Sequence, residues 1–177
     1  MKRLARAFLI GAPLVCAACS SKGASPAAAE DAGPGQGGAG AVSCGVTTDT
    51  YVANLTKPGK LGKYTFTLVQ GVPAPPDLDG NVWTMKIVDA SGAPPSLAQV
   101  MAYPYMPQMG HSSDQTPQVA ANADGTFAIS DIYLFMPGLW TITLSVLATD
   151  DAGTVPTTTS TPPIVLDEAV YTFCVDD

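Results

Sequence analysis

Three segments alternate apolar and polar residues with a period of two, and that constrains the fold more than anything else in the chain. "KYTFTLVQ" sets Tyr64, Phe66 and Leu68 against Thr65, Thr67 and Val69. "NVWTMKIVD" sets Trp83, Met85 and Ile87 against Val82, Thr84, Lys86 and Val88. "LWTITLSVLA" sets Trp140, Ile142, Leu144 and Val146 against threonines and Ser145. Side chains at i and i+2 share one face of a strand, so each segment predicts a strand with one buried face. Their β-branched and aromatic content agrees. Shorter candidates are "AQVMAY", "GTFAISDIYLF" and "AVYTFCV". Between them lie the turn-formers "PPDLDGN", "DASGAPP", "NADG", "MPG" and "TDDAGT". After the N-terminal leader, no stretch of ten residues keeps a helical period. The expectation is an all-β fold, an immunoglobulin-like antiparallel β-sandwich of about seven strands over residues 44–177, with Trp83 and Trp140 in its core.

The N-terminus predicts export. Lys2, Arg3 and Arg6 precede the apolar "AFLIGAPLVCAA", which is too short to span a bilayer, and small residues follow. Residues 1–18 therefore read as a signal peptide. Cys19, behind Ala17 and Ala18, resembles the cysteine that bacterial lipoproteins acylate, although Cys16 stands where such sequences usually carry Leu or Val. Residues 19–43 are small, polar and glycine-rich, and bury too little to offset their ordering entropy. A coil of this kind spans about 27 Å. The expected location is a lipid anchor on a bacterial envelope membrane, on the periplasmic or outer-membrane side, with an envelope protein as partner.

Removal of the leader leaves five lysines, no arginine and 15 acidic residues. Without arginine there is no bidentate recognition of phosphate, and an acidic surface lacks the footprint that nucleic acid requires. Nucleic-acid binding is excluded. Cys44 and Cys174 flank the globular part. In an oxidising compartment they favour a disulfide over free thiols or soft metal ligands. "KPGKLGK", the single basic cluster, reads as a solvated hairpin. Scattered aspartates such as Asp77, Asp79, Asp150 and Asp151 read as turn residues, and a calcium loop at "PDLDGN" lacks its later acidic ligand.

The remaining feature is "YPYMPQMGHSS", residues 103–113. It places Met106, Met109 and His111, the chain's one histidine, within six residues. Prolines and Gly110 there argue for a crossover loop. Thioether sulfur favours Cu(I), and imidazole suits copper and zinc. Met101 and Met136 are further candidate ligands, although each also reads as core, and the whole loop also reads as structural packing. One histidine, no arginine beyond the leader, no "GxSxG" and no phosphate loop point to a non-enzymatic protein.

Residues 60–147 resemble the YtkA-like domain family, related to FixH-type proteins. The resemblance rests on Asp89 to Gly92, on Met106-Pro107-Gln108-Met109-Gly110-His111, on Asp124-Gly125 and on Met136-Pro137-Gly138-Leu139-Trp140. It implies an exported immunoglobulin-like sandwich, with copper or oxidase-assembly roles proposed for relatives. Copper(I) is the candidate cofactor, from the thioether and imidazole donors of the loop. The alternative is a metal-free interaction module. The chain departs from the family pattern by adding residues 148–177.

Overall fold

The computed structural model describes residues 44–45, 47–156 and 162–176. The signal peptide, Cys19 and the tether lie outside the described residues. Nine strands follow in order: β1 (Leu55–Pro58), β2 (Tyr64–Val72), β3 (Asp79–Asp89), β4 (Ala98–Met106), β5 (His111–Ser112), β6 (Gln118–Ala121), β7 (Thr126–Leu134), β8 (Gly138–Ala148) and β9 (Val165–Val175). They make a five-stranded sheet, β1-β2-β3-β7-β6, and a four-stranded sheet, β5-β4-β8-β9. All pairings are antiparallel. The six segments named from their alternation are all strands. The count exceeds seven because β1, β5 and β6 are four, two and four residues long, too short for alternation to mark them.

The alternating residues face one another across the sandwich. Phe66, Leu68, Trp83, Met85, Ile87 and Ile129 of one sheet meet Trp140, Ile142, Leu144, Val146 and Tyr171 of the other, all with no exposed surface. Trp83 packs edge-on against Tyr171 and Phe173, both with centroids 5.8 Å away. Burying a side chain of this size stabilises by about 2–3 kcal/mol.

The "KPGKLGK" hairpin is solvated at its tip, as expected, with residues 60–63 exposed, and its backbone is seated on β9. Asp167 is fully buried, and its carboxylate accepts N–H bonds from Leu61, Lys63 and Tyr64 of the hairpin at 2.7–2.8 Å and from Glu168 at 2.9 Å. Burial pushes the Asp167 pKa up, but these donors outweigh it and hold the carboxyl below its ordinary value. Lys57 bonds Asp49 and the Val170 carbonyl, and Lys60 pairs with Glu168. Their charges are spent on β9 and its flank. The Cys44–Cys174 disulfide forms as expected, with Cα atoms 5.9 Å apart.

Candidate functional site: the methionine–histidine hairpin

The Met/His segment is a tight hairpin rather than a crossover. β4 runs through Pro104, whose missing N–H falls on the strand's outer edge, where its carbonyl accepts from Ser113 N at 3.3 Å. The chain reverses at Met106, whose carbonyl accepts from Met109 N (3.2 Å) and Gly110 N (2.9 Å). Gly110 has φ +72°, the left-handed region that a glycine enters without strain. The crossover to the other sheet comes after Ser112.

Met106 and His111 are direct cross-strand partners, so their side chains leave the same face. Met106 is 3% exposed and belongs to the core. Its methyl group lies where a Cβ on Gly138 would stand, 2.4 Å from that position. His111 is half-buried. Its ring stacks on Phe135 with centroids 5.3 Å apart and stands 6.3 Å from Trp140, edge to face. Phe135 in turn stacks on Tyr133. Trp140 is fixed by a 2.8 Å bond from its Nε1 to the Met136 carbonyl. His111 Nδ1 is buried and has no hydrogen-bond partner. A buried polar atom of this kind costs about 1–3 kcal/mol unless something completes it.

The other candidate residues fall in different places. Met109 projects from the turn and is 57% exposed. Met136 packs partly buried against the core at the same end, as the turn it occupies suggested. Met101 is neither core nor part of the cluster. It lies five positions before Met106, an odd offset in a strand, so it faces outward from β4, 44% exposed, on the same face as the stacked Tyr103 and Tyr105. Gln108 donates from Nε2 to the Cys44 carbonyl at 3.3 Å, which links the hairpin tip to the disulfide. The sequence around His111 gives no sign of Phe135 and Trp140 as its neighbours, or of Gly138 as a neighbour of Met106. Their signal was in the "FMPG" turn, since alternation puts Tyr133 and Phe135 on one face.

Among the described residues, no three His, Cys, Asp or Glu side chains gather into a metal cage. The donors that do gather are thioether and imidazole. Asp89, Asp124 and Asp150 fold their carboxylates over their own turns, as turn residues should. Hydrogen bonds there hold Asp89 and Asp124 below the ordinary carboxylate range, from the Ser91 hydroxyl first in Asp89 and the Thr126 hydroxyl first in Asp124.

No curated protein matches the sequence. Among solved structures, the chain is similar to a copper-bound variant of FetP from uropathogenic Escherichia coli, at 12% identity and a TM-score of 0.41, over 69% of this chain and 94% of that one. So loose a likeness carries no argument about what this chain does. The family comparison is specific. The model of the YtkA-like family matches residues 59–145, from the seat of the β1–β2 hairpin through most of β8, and takes in the whole Met/His hairpin and the Met-Pro-Gly turn beneath it. Residues 59–145 of the sandwich are thus a YtkA-like domain.

Proposed function

We propose that this domain is a non-enzymatic binding module, tethered to an envelope membrane through Cys19, whose hairpin takes Cu(I) on His111 with the thioethers of Met109 and Met106. The observation that carries the reading is His111 Nδ1, buried without a partner on the residue that faces Met106 across the hairpin. Soft thioether donors beside an imidazole suit Cu(I) better than harder ions. The disulfide takes Cys44 and Cys174 out of competition as thiolates. The donors fit only if the tip closes. Met106 is packed inward while Met109 points to solvent, so binding draws Met109 in over the imidazole, with Met136 as a fourth donor at the same end. Met101 is left out because it faces away. Copper would bring affinity for soft ligands; the chain's part is to orient the imidazole, which Phe135 and Trp140 do by stacking. For a hydrolytic role the hairpin is poorly equipped: His111 is committed to a stack, and the Ser113 hydroxyl accepts from Gln115 N.

The metal-free module has an observation of its own. Met106 is explained fully by packing, with its methyl against Gly138. One titration separates the two. With a Cu(I) chelator in competition, His111→Phe keeps an aromatic ring to stack on Phe135 but removes both nitrogens. The copper reading expects that variant, and Met109→Leu, to melt no lower than the parent and to weaken Cu(I) binding at least about tenfold, the scale that even outer-shell changes reach at metal sites. Equal affinity of parent and variants rejects copper in favour of the metal-free module.

A further inference from the structure

Every sheet edge is a row of unpaired N–H and C=O groups, and a soluble protein has to guard each one against other strands. Among the described residues, this chain guards all but one. β9 is covered where Asp49 N bonds the Thr172 carbonyl, Lys57 Nζ the Val170 carbonyl and Lys60 N the Glu168 carbonyl. β1 is four residues ending in Pro58, and β6 is four residues. β7, beyond its pairing with β6, is broken by Asp131 at φ +58°. β4 differs. It pairs with β8 without a register shift from Ala98 to Tyr105, yet β5 covers only Tyr105 and Met106 on its other side. That leaves Ala98–Tyr103 regular, free of proline and without a strand partner on that side, with Thr116 and Pro117 across a groove from it.

Backbone parity fixes which groups are open. Pro104 directs its carbonyl to the β5 side, where Ser113 takes it. Residues at even positions therefore point to the free edge: Ala98, Val100 and Ala102 offer three N–H and three C=O groups. The run is centred on Val100. Beside it, a groove of about 380 Å³ opens between β4 and β6. A second, of about 160 Å³, continues along Met101–Pro104. No charged residue lines either.

We propose that this edge is a dimer interface, in which β4 pairs antiparallel with β4 of a second copy about a twofold axis through Val100. The free groups are symmetric about that residue, so Val100 meets Val100 of the other copy and Ala98 meets Ala102. All six groups are then satisfied, and the two four-stranded sheets join into one. The chain carries a net charge of −7, but Leu97–Met106 contains no charge, so two identical acidic molecules can meet here without like charges opposed. Gln99 and Met101, both exposed on the outer face, pair across the axis.

That pairing supplies the test, which does not depend on copper. Sedimentation of the purified full chain is expected to show a concentration-dependent dimer. Gln99→Glu with Met101→Glu sets like charges opposite each other twice and should weaken the dimer about tenfold. Gln99→Lys with Met101→Glu sets opposite charges there and should restore it. Both positions are exposed, so both variants should melt with the parent. A monomer at every concentration overturns the proposal, as does a dimer indifferent to both double variants. A monomer whose Val100 amide becomes protected from exchange only when an unrelated extended peptide is added assigns the edge to that other occupant and equally overturns it.

Discussion

Gly138 shows how little room the site leaves. Its φ is +137°, in a region that side chains avoid, and the space a Cβ would fill holds the Met106 methyl, 2.4 Å from the Cβ position. Backbone strain and overpacking therefore act together in Gly138→Ala. A loss of about 2–3 kcal/mol is expected, read as a lower urea midpoint at unchanged slope. If Met106 is the displaced partner, Gly138→Ala should cost less in a Met106→Ala background than in the parent, because neighbouring changes couple. The sequence displayed Gly138 only as a turn former. Nothing local says that a methionine 32 positions earlier ends against it. The same holds for His111. Its residue type suggested a ligand, but its stack on Phe135 and its unpartnered Nδ1 depend on two strands joined from different parts of the chain.

At the scale of elements, alternation was enough to find the long strands, because a strand with one buried face must repeat with a period of two. It failed where an element is defined by its partner. β5 exists because Gly110 turns the chain back onto Met106, and β1 because its hairpin is anchored from outside by Asp167. In the basic cluster Lys60 and Lys63 are solvated as their sequence suggests, but nothing local shows that the backbone N–H groups around them seat the loop on Asp167. Asp167→Asn should therefore detach this hairpin. The amide places N–H where the loop needs an acceptor and removes the charge that three loop donors share, at a cost of about 3 kcal/mol. Because the folded Asp167 pKa lies below its unfolded value, the carboxylate's contribution is complete above the unfolded pKa, near 4, and is lost as pH falls through the folded one. The parent should thus lose stability on acidification across that window, and Asp167→Asn should show a shallower fall. Parallel stability curves for parent and variant would remove Asp167 as the titrating group.

For the whole molecule, the disulfide decides how the ends of the domain are held. Cys174 lies on β9 opposite Leu139 of β8, and Cys44 enters from a segment that also lays Asp49 against Thr172. The bridge spans 130 residues, so in the unfolded chain it closes most of the domain into one loop. By the chain-entropy model, opening it costs about 5 kcal/mol at most, and less where the reduced chain keeps residual structure. The Asp49–Thr172 and Lys57–Val170 bonds keep the first segment on β9 without the bridge, and most of the core residues lie on strands other than β9. Cys44→Ala with Cys174→Ala is therefore expected to fold with a native near-ultraviolet spectrum, but to melt below the oxidised parent by up to about 10–20 °C, at about 2–4 °C per kcal/mol for a domain of this size. Only the hairpin tip should change locally, because Gln108 bonds the Cys44 carbonyl and loses a fixed partner when that residue is freed. Amide exchange at Met109 and Gly110 should then rise ahead of exchange in β8. If both rise together, the bridge holds the sandwich itself, and the Gln108 bond has no separate part in fixing the turn.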